Sequence, residues 1–204
     1  MSKKIGFALV ALCALSAAPM VSAQVAGDTL VRVRAVNLDP ANQDTIPTLD
    51  VSVSSKVIPE VDFTYFISPN LATELVLTYP QKHDVSANGA AVGTLKHLPP
   101  TLSLQYHFTD LGLGAFRPYV GAGLNYTRFS GIHLSGGTLS VDKNSVGLSL
   151  QAGLDYAIDK TWSVNFDVKK VQIRTDLKDT ATGASLGTIK IDPLLVGVGV
   201  GYKF

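Results

Sequence analysis

Charged residues recur at alternate positions in several short segments of this 204-residue chain. If each segment is a strand, alternate positions share one face of the sheet, so these charges would lie together on its inner side. The set is balanced, with five basic and five acidic members: Arg32, Arg34, Arg117, Lys169 and Lys203, and Glu60, Asp62, Glu74, Asp155 and Asp167. Charges in a partly dry interior are stable only where each finds a partner. We therefore favour a salt-bridged plug over the alternative, a wet polar path for ions.

Catalytic and metal chemistry have weaker support. His83, Asp84 and His97 carry groups that can ligate a metal, but their spacing matches no recognised pattern, and the alternative is ordinary loop polarity. The chain has no Gly-x-Ser-x-Gly elbow, no phosphate loop and no His-Glu-x-x-His motif. We therefore expect no enzyme, no cofactor and no metal site. The formal net charge of +1 gives no reason to expect nucleic acid as a partner.

The last eleven residues, 194–204, indicate the kind of element that positions these charges. Every second residue from Leu194 to Phe204 is large and apolar, and the residues between them, the other phase, are mostly glycine. A period of two is typical of a strand, and about ten residues tilted by about 45° span a bilayer. A closing strand that ends on a carboxy-terminal Phe resembles the insertion signal that bacterial outer-membrane barrels present to the barrel-assembly machinery. Phe204 is therefore the expected insertion signal.

Seven further segments alternate in the same way, at 29–36, 57–66, 71–79, 100–108, 116–129, 146–156 and 161–169. Their connections alternate between short turns and long segments, the long ones lying near 38–56, 80–99, 130–144 and 175–189. Short periplasmic turns and long extracellular loops are typical of membrane barrels, and aromatic residues crowd the short-turn ends. The sequence predicts an all-β fold, an eight-stranded antiparallel transmembrane β-barrel, over a soluble sandwich or a lipocalin-like barrel with a polar exterior.

The first 23 residues read as a cleaved secretory signal peptide. Lys3 and Lys4 precede an apolar stretch, and Val21-Ser22-Ala23 offers a small-residue cleavage site. The rival is a membrane anchor, but the apolar stretch is short for a spanning helix. We expect a mature barrel domain over residues 24–204, without the single cysteine, Cys13, and so without disulfides.

Glycine is frequent at the positions expected to face inward. These residues are Gly121, Gly123, Gly147, Gly153, Gly197, Gly199 and Gly201. They would accommodate a bulky neighbour such as Tyr119 or Arg117, or permit strong curvature. They are also where we expect a cavity, and hence a transport role, if one exists.

Ordered blocks of residues across the chain resemble one family. They are Ala26-Gly27-Asp28 with Leu30–Ala35, Thr73-Glu74-Leu75 before Lys82-His83-Asp84, His97–Leu102 with Gln105–Phe108, Arg117–Thr127, Asp167–Lys170, and Ile191-Asp192-Pro193 with the last strand. Any one block is weak, but the ordered set is strong and covers essentially the whole mature chain. On these blocks the chain resembles the OmpW family of outer-membrane proteins.

The resemblance implies a passive route for small hydrophobic or amphipathic molecules through a narrow barrel in the Gram-negative outer membrane, with membrane lipid as a partner. The alternative is a structural or surface-receptor barrel with a sealed lumen, acting in bacteriocin or host contact or in stress responses. The family's apolar constriction falls here on Val76 and Lys169. Lys169 departs from the large apolar residue that members can carry, so the constriction lies elsewhere or the cargo is less apolar. Other candidate lumen residues are Glu74, Arg117, Tyr119 and Asp167.

Overall fold

The computed structural model describes residues 24–46 and 50–204. The predicted signal peptide, residues 1–23, lies outside the described residues and stays a prediction. In the described part, the helical structure is one 3₁₀ turn, Ser135–Gly137, and no helix there is long and apolar enough to cross a membrane.

Eight long strands form the wall of a closed antiparallel barrel, which confirms the predicted fold. They are β1 (Thr29–Asp39), β4 (Lys56–Phe66), β5 (Leu71–Leu77), β8 (Thr101–His107), β9 (Phe116–Leu134), β11 (Asn144–Ala157), β12 (Trp162–Val171) and β15 (Leu194–Lys203). Each wall strand pairs with the next one along the chain. The last wall strand, β15, pairs with β1 and closes the barrel, with Val200 opposite Val33.

Seven short strands continue the barrel beyond the wall, within the long connections. They are β2 (Gln43–Asp44), β3 (Val51–Val53), β6 (Gln81–Ala87), β7 (Ala90–Leu98), β10 (Leu139–Val141), β13 (Arg174–Asp179) and β14 (Ser185–Lys190). The expectation that these connections are loops was therefore wrong. Their backbone groups find partners in neighbouring connections, as where β7 pairs with the end of β9 and β10 with β13.

The outward face of the wall is an apolar band whose height matches a bilayer. On β9, the outward positions Phe116, Val120, Leu124 and Tyr126 are apolar and exposed, and Arg128 follows them. Ten residues of strand rise about 34 Å, or about 25 Å at the tilt of a membrane barrel. The wall strands therefore cross the bilayer between the short turns and the level of Tyr126.

Aromatic rings collect at the short-turn edge of this band. The ring of Tyr202 contacts the ring of Trp162, with centroids 4.9 Å apart, and the ring of Phe204, with centroids 4.8 Å apart. Phe116 and Tyr156 form another pair with centroids 5.0 Å apart. Amphipathic rings at this level suit a membrane–water interface.

The inward glycines are closely packed and do not border open space. A Cβ atom on Gly153 would stand 2.3 Å from the phenol of Tyr119. At Gly123, Gly147 and Gly199 a Cβ atom would meet first a backbone carbonyl oxygen, 2.0 to 2.3 Å away. Accommodation of Tyr119 is therefore confirmed at Gly153. The expectation that glycines mark the cavity was wrong, because the enclosed cavities are lined by larger side chains.

We predict that Gly153→Val destabilises the barrel by about 1–3 kcal/mol, because the added methyl groups overlap the Tyr119 ring. The free energy of unfolding in urea, measured in lipid vesicles, checks this. Ala152→Val adds the same type of side chain on the lipid-facing side and should change the free energy of unfolding little. Combining Gly153→Val with Tyr119→Ala should recover part of the loss, and an equal loss in both backgrounds would contradict the overlap.

Candidate functional site

The part of the barrel interior farther from the short turns holds an apolar cavity of about 90 Å³. Its walls come from the short strands and the upper end of β9. The lining residues are Val51, Val53, Val85, Ala87, Val92, Leu95, Leu134, Ser135, Leu139, Thr175, Leu177, Ile189 and Ile191. We call this space the upper chamber. Its concave shape and apolar lining are typical of a small-molecule pocket.

Alternation within the connections places these side chains inside. On β3, Val51 and Val53 are buried, and the register sets Val53 opposite Val85 of β6. Leu177 of β13 and Ile189 of β14 are buried in the same way. Sequence reasoning missed these residues because it treated the connections as loops. The signal was present as short period-two runs of Val, Leu and Ile.

A smaller cavity, of about 10 Å³, lies below the upper chamber, nearer the short turns. Apolar Leu38, Ile58 and Val171 line it together with Val76 and Lys169. The structure thus brings the two candidate constriction residues to one space. Val76 is buried with its side chain inward, whereas the Lys169 ammonium reaches Glu74 Oε2 at 3.4 Å.

Buried ion pairs fill the barrel below that cavity, and two arginines of β1 are at their centre. The Arg32 guanidinium lies 3.0 Å from Asp62 Oδ1 and 2.7 Å from Asp155 Oδ2. The Arg34 guanidinium lies 2.7 Å from Glu60 Oε1 and 3.0 Å from Asp62 Oδ2. We call these residues, with Glu74, Asp167 and Lys169, the charge network.

Neutral donors complete the charge network. The Tyr119 hydroxyl donates to Asp167 Oδ2 at 2.8 Å, and Gln151 Nε2 donates to Glu74 Oε2 at 2.9 Å. Asn165 Nδ2 donates to Asp155 Oδ1 at 2.9 Å. These contacts matter because the network holds five carboxylates against the three cations Arg32, Arg34 and Lys169.

Two of the ten predicted inward charges lie outside the charge network. Arg117 is half-buried and lines a small space at the short-turn mouth, beside Asp155 and Lys203. Lys203 Nζ pairs with Asp28 Oδ2 at 3.1 Å. Arg117 and Lys203 thus lie at the short-turn end of the charge network, and Arg117 is close to its Asp155.

A pair of histidines is buried in the upper barrel, above the membrane band. The rings of His83 on β6 and His97 on β7 stack with centroids 4.6 Å apart, and Phe129 packs edge-on against His97. Burial, with a smaller effect of His83, lowers the pKa of His97 to about 3. Burial is also the main cause that lowers the pKa of His83. Asp84 faces outward, and the described part of the chain contains no group of three or more metal-ligating side chains.

The family model described as the OmpW family matches residues 25–204. An uncharacterized outer-membrane protein, y4mB of Sinorhizobium fredii, is 46% identical, with 85% of this chain and 79% of that protein covered. Outer membrane protein W of Vibrio cholerae is 33% identical, with 96% and 97% covered. The crystal structure of outer membrane protein OprG from Pseudomonas aeruginosa superposes with a TM-score of 0.79 at 28% identity, covering 90% of this chain and 99% of that one.

We predict that Arg32→Met destabilises the barrel by about 3–5 kcal/mol, because it leaves Asp62 and Asp155 buried without their main cation. Unfolding in urea in lipid vesicles measures this loss. Lys160→Met, at an exposed turn, is the matched control and should change the free energy of unfolding little. A loss as small as that of the control would show that the network does not hold the barrel closed.

We predict that acid loosens the β6–β7 hairpin. Unfolded histidine has a pKa of about 6.5, so between about pH 6.5 and pH 3 the opened hairpin binds protons that the folded one excludes. Stability is therefore complete above about pH 6.5 and falls as the pH drops, and the opening constant should rise about tenfold or more by about pH 5. Amide-exchange protection factors over residues 81–98 measure this. The double variant His83→Phe with His97→Phe should lose the pH dependence, and its persistence would implicate other groups.

Proposed function

Because the chain belongs to the OmpW family and lies in the outer membrane, we propose that it carries small hydrophobic or amphipathic molecules passively through its upper chamber. The observation that supports this most is the apolar chamber itself, enclosed by the barrel's extracellular extension. A barrel that needed only to close could fill this space with its own side chains, as the charge network does below. We propose no catalytic step and no cofactor.

The charge network supports a sideways exit rather than an axial one. Arg32 and Arg34 are fully buried, and their pairs join β1 to β4, β5 and β11 across the lumen. An apolar molecule that entered this layer would have to break buried ion pairs without replacing them, which is costly. The charge network therefore forms a closed floor below the smaller cavity, and cargo that reaches this cavity cannot continue along the barrel axis.

The wall beside that floor is incomplete, and this is where we place the exit. The β5–β8 ladder ends at Val76 opposite Thr101, and the β6–β7 ladder begins at Gln81 opposite His97. Between them, segments 78–80 and 99–100 belong to no strand, and their three prolines lack an N–H. Thr78 and Pro99 line the smaller cavity. A molecule could thus pass from the cavity to the lipid at the upper edge of the apolar band.

In this proposal Val76 and the methylene stem of Lys169 form the lower constriction, with the Lys169 charge held back by Glu74. Glu74, Tyr119 and Asp167 then act as parts of the closed floor, and Arg117 lies below it. Membrane lipid receives the cargo. We also propose that the last strand and Phe204 engage the barrel-assembly machinery during insertion.

The second candidate function, a sealed structural or receptor barrel, is favoured by the same charge network. Co-purification and planar-bilayer recordings separate the two. Absence of a bound apolar molecule and of any ligand binding would favour the sealed barrel. An axial channel would instead show a steady ion conductance, which the closed floor does not allow.

We predict that Val53→Trp weakens binding of a small fluorescent naphthalene by about tenfold or more, because the indole occupies the upper chamber. Fluorescence titration of the purified barrel in nanodiscs measures the affinity. Val198→Trp adds the same ring to an exposed lipid-facing position and should leave the affinity unchanged. Equal affinities of both variants and the unaltered protein would place the ligand outside the chamber.

Cells lacking the protein should also take up hydrophobic substrates more slowly. Complementation with the unaltered gene should restore the rate, and complementation with Val53→Trp should not. Unchanged uptake across a panel of apolar substrates would contradict the transport proposal even if the chamber binds ligands.

A further inference from the structure

Three cations lie together on the outer surface of the barrel, at the upper edge of the apolar band. Lys82 on β6, Lys96 on β7 and Arg128 on β9 are exposed and face outward. The register sets Lys82 directly opposite Lys96, and Lys96 opposite Ser130. Arg128 is two residues from Ser130, so the Lys96 and Arg128 backbones are about 7–8 Å apart. We call these residues the cation triad.

The cation triad has no partner among the described side chains. None of its members forms an ion pair within the parts of the chain that the structure describes. Asp84, on the same face of β6, lies opposite Thr94 and pairs with neither lysine. Like charges directly opposite each other, as Lys82 and Lys96 are, destabilise a sheet. Binding of an external anion would offset this repulsion.

The surface below the triad fixes what kind of anion fits. Tyr126 and Leu124 lie directly below Arg128 on β9, and both are exposed and apolar. On β7 and beyond, Leu98 and Pro100 continue downward from Lys96. A ligand that uses both surfaces carries negative charge at its head and acyl chains beneath it. This is the chemistry of a phosphorylated lipid.

The position of the triad selects one lipid. It lies at the edge opposite the short turns, which is the extracellular edge of the band and the level of the outer-leaflet headgroups. The exposed charges at the short turns are of both signs instead: Asp110 lies in one turn, and Asp159 and Lys160 lie in another. In a Gram-negative outer membrane, the outer-leaflet lipid with several phosphates on one headgroup is lipopolysaccharide.

We propose that the cation triad binds the phosphate groups of lipid A, the membrane anchor of lipopolysaccharide, with its acyl chains on the apolar surface below. The methylene chain of Lys96 extends towards β9, where its Cδ lies 3.5 Å from the position of a Cβ on Gly131. The Lys96 side chain therefore lies over the strand that carries Arg128, and a phosphate cluster bound between these long side chains can contact two or three of the cations. The site stands independently of the transport function.

Binding of purified lipid A to the full-length barrel in detergent micelles tests this proposal. The triple variant Lys82→Gln, Lys96→Gln, Arg128→Gln should bind bisphosphorylated lipid A about tenfold or more weakly at about 0.15 M salt. The unaltered protein should bind dephosphorylated lipid A and phosphatidylglycerol with an affinity lower by a similar factor than its affinity for bisphosphorylated lipid A. Lys82→Arg, Lys96→Arg, Arg128→Lys keeps the charges and should retain most of the affinity.

Lys160→Gln removes an exposed cation from the opposite edge and should bind as the unaltered protein does. Heat-modifiable migration on a gel shows which variants are folded, and the single variants Lys82→Gln and Lys96→Gln serve if the triple one is not. Undiminished lipid A affinity in the folded neutral variants would overturn the proposal. Equal affinity for phosphatidylglycerol would overturn the choice of lipopolysaccharide, since the triad would then recognise any anionic lipid.

Discussion

The two arginines of β1 and the carboxylates around them are the interaction on which this barrel depends. Arg32 and Arg34 sit beside the seam where the last strand meets the first, and their ion pairs reach Asp62 on β4, Glu74 on β5 and Asp155 on β11. Backbone pairing closes the sheet around its circumference, and these side chains tie it across its diameter. Because the guanidiniums are fully buried, each contact matters more than a surface salt bridge would.

The charge network also divides the interior into two regions with different chemistry. Below the level of Val76 the lumen is polar and filled. Above it the same inward phase is mainly apolar, from Leu38 and Ile58 up to Leu177, and the stacked histidines are the polar exception. Apolar walls that enclose space favour apolar occupants, whereas the floor rejects them. The break in the wall at 78–80 and 99–100 lies where these regions meet, which gives the floor a role in directing cargo outward.

The membrane wall could be predicted from sequence because lipid enforces a strict period of two over long segments. The closing pair of β1 and β15 and the inward phase of the charges followed from that rule. The upper chamber could not, because strands such as Val51–Val53 are too short for periodicity to separate them from loops. The role of the inward glycines also needed coordinates, since sequence cannot tell a gap filled by Tyr119 from an open one. Arg117 and Lys203 share the inward phase of Arg32 but lie nearer the short-turn mouth of the barrel. Periodicity predicts which face a residue is on but not its depth in the barrel, so the sequence could not place these two cations outside the charge network.

Chemical-shift mapping of the barrel in lipid nanodiscs, with naphthalene as the ligand, tests the central claim most directly. The account predicts shifts at chamber residues such as Leu95 and Ile189, and at Thr78 and Thr101 beside the break in the wall. It predicts none at Thr64 and Gln105, which are buried within and below the charge network. Shifts at those two residues, with none at Thr78, would show that cargo passes down the axis and that the network is not a floor.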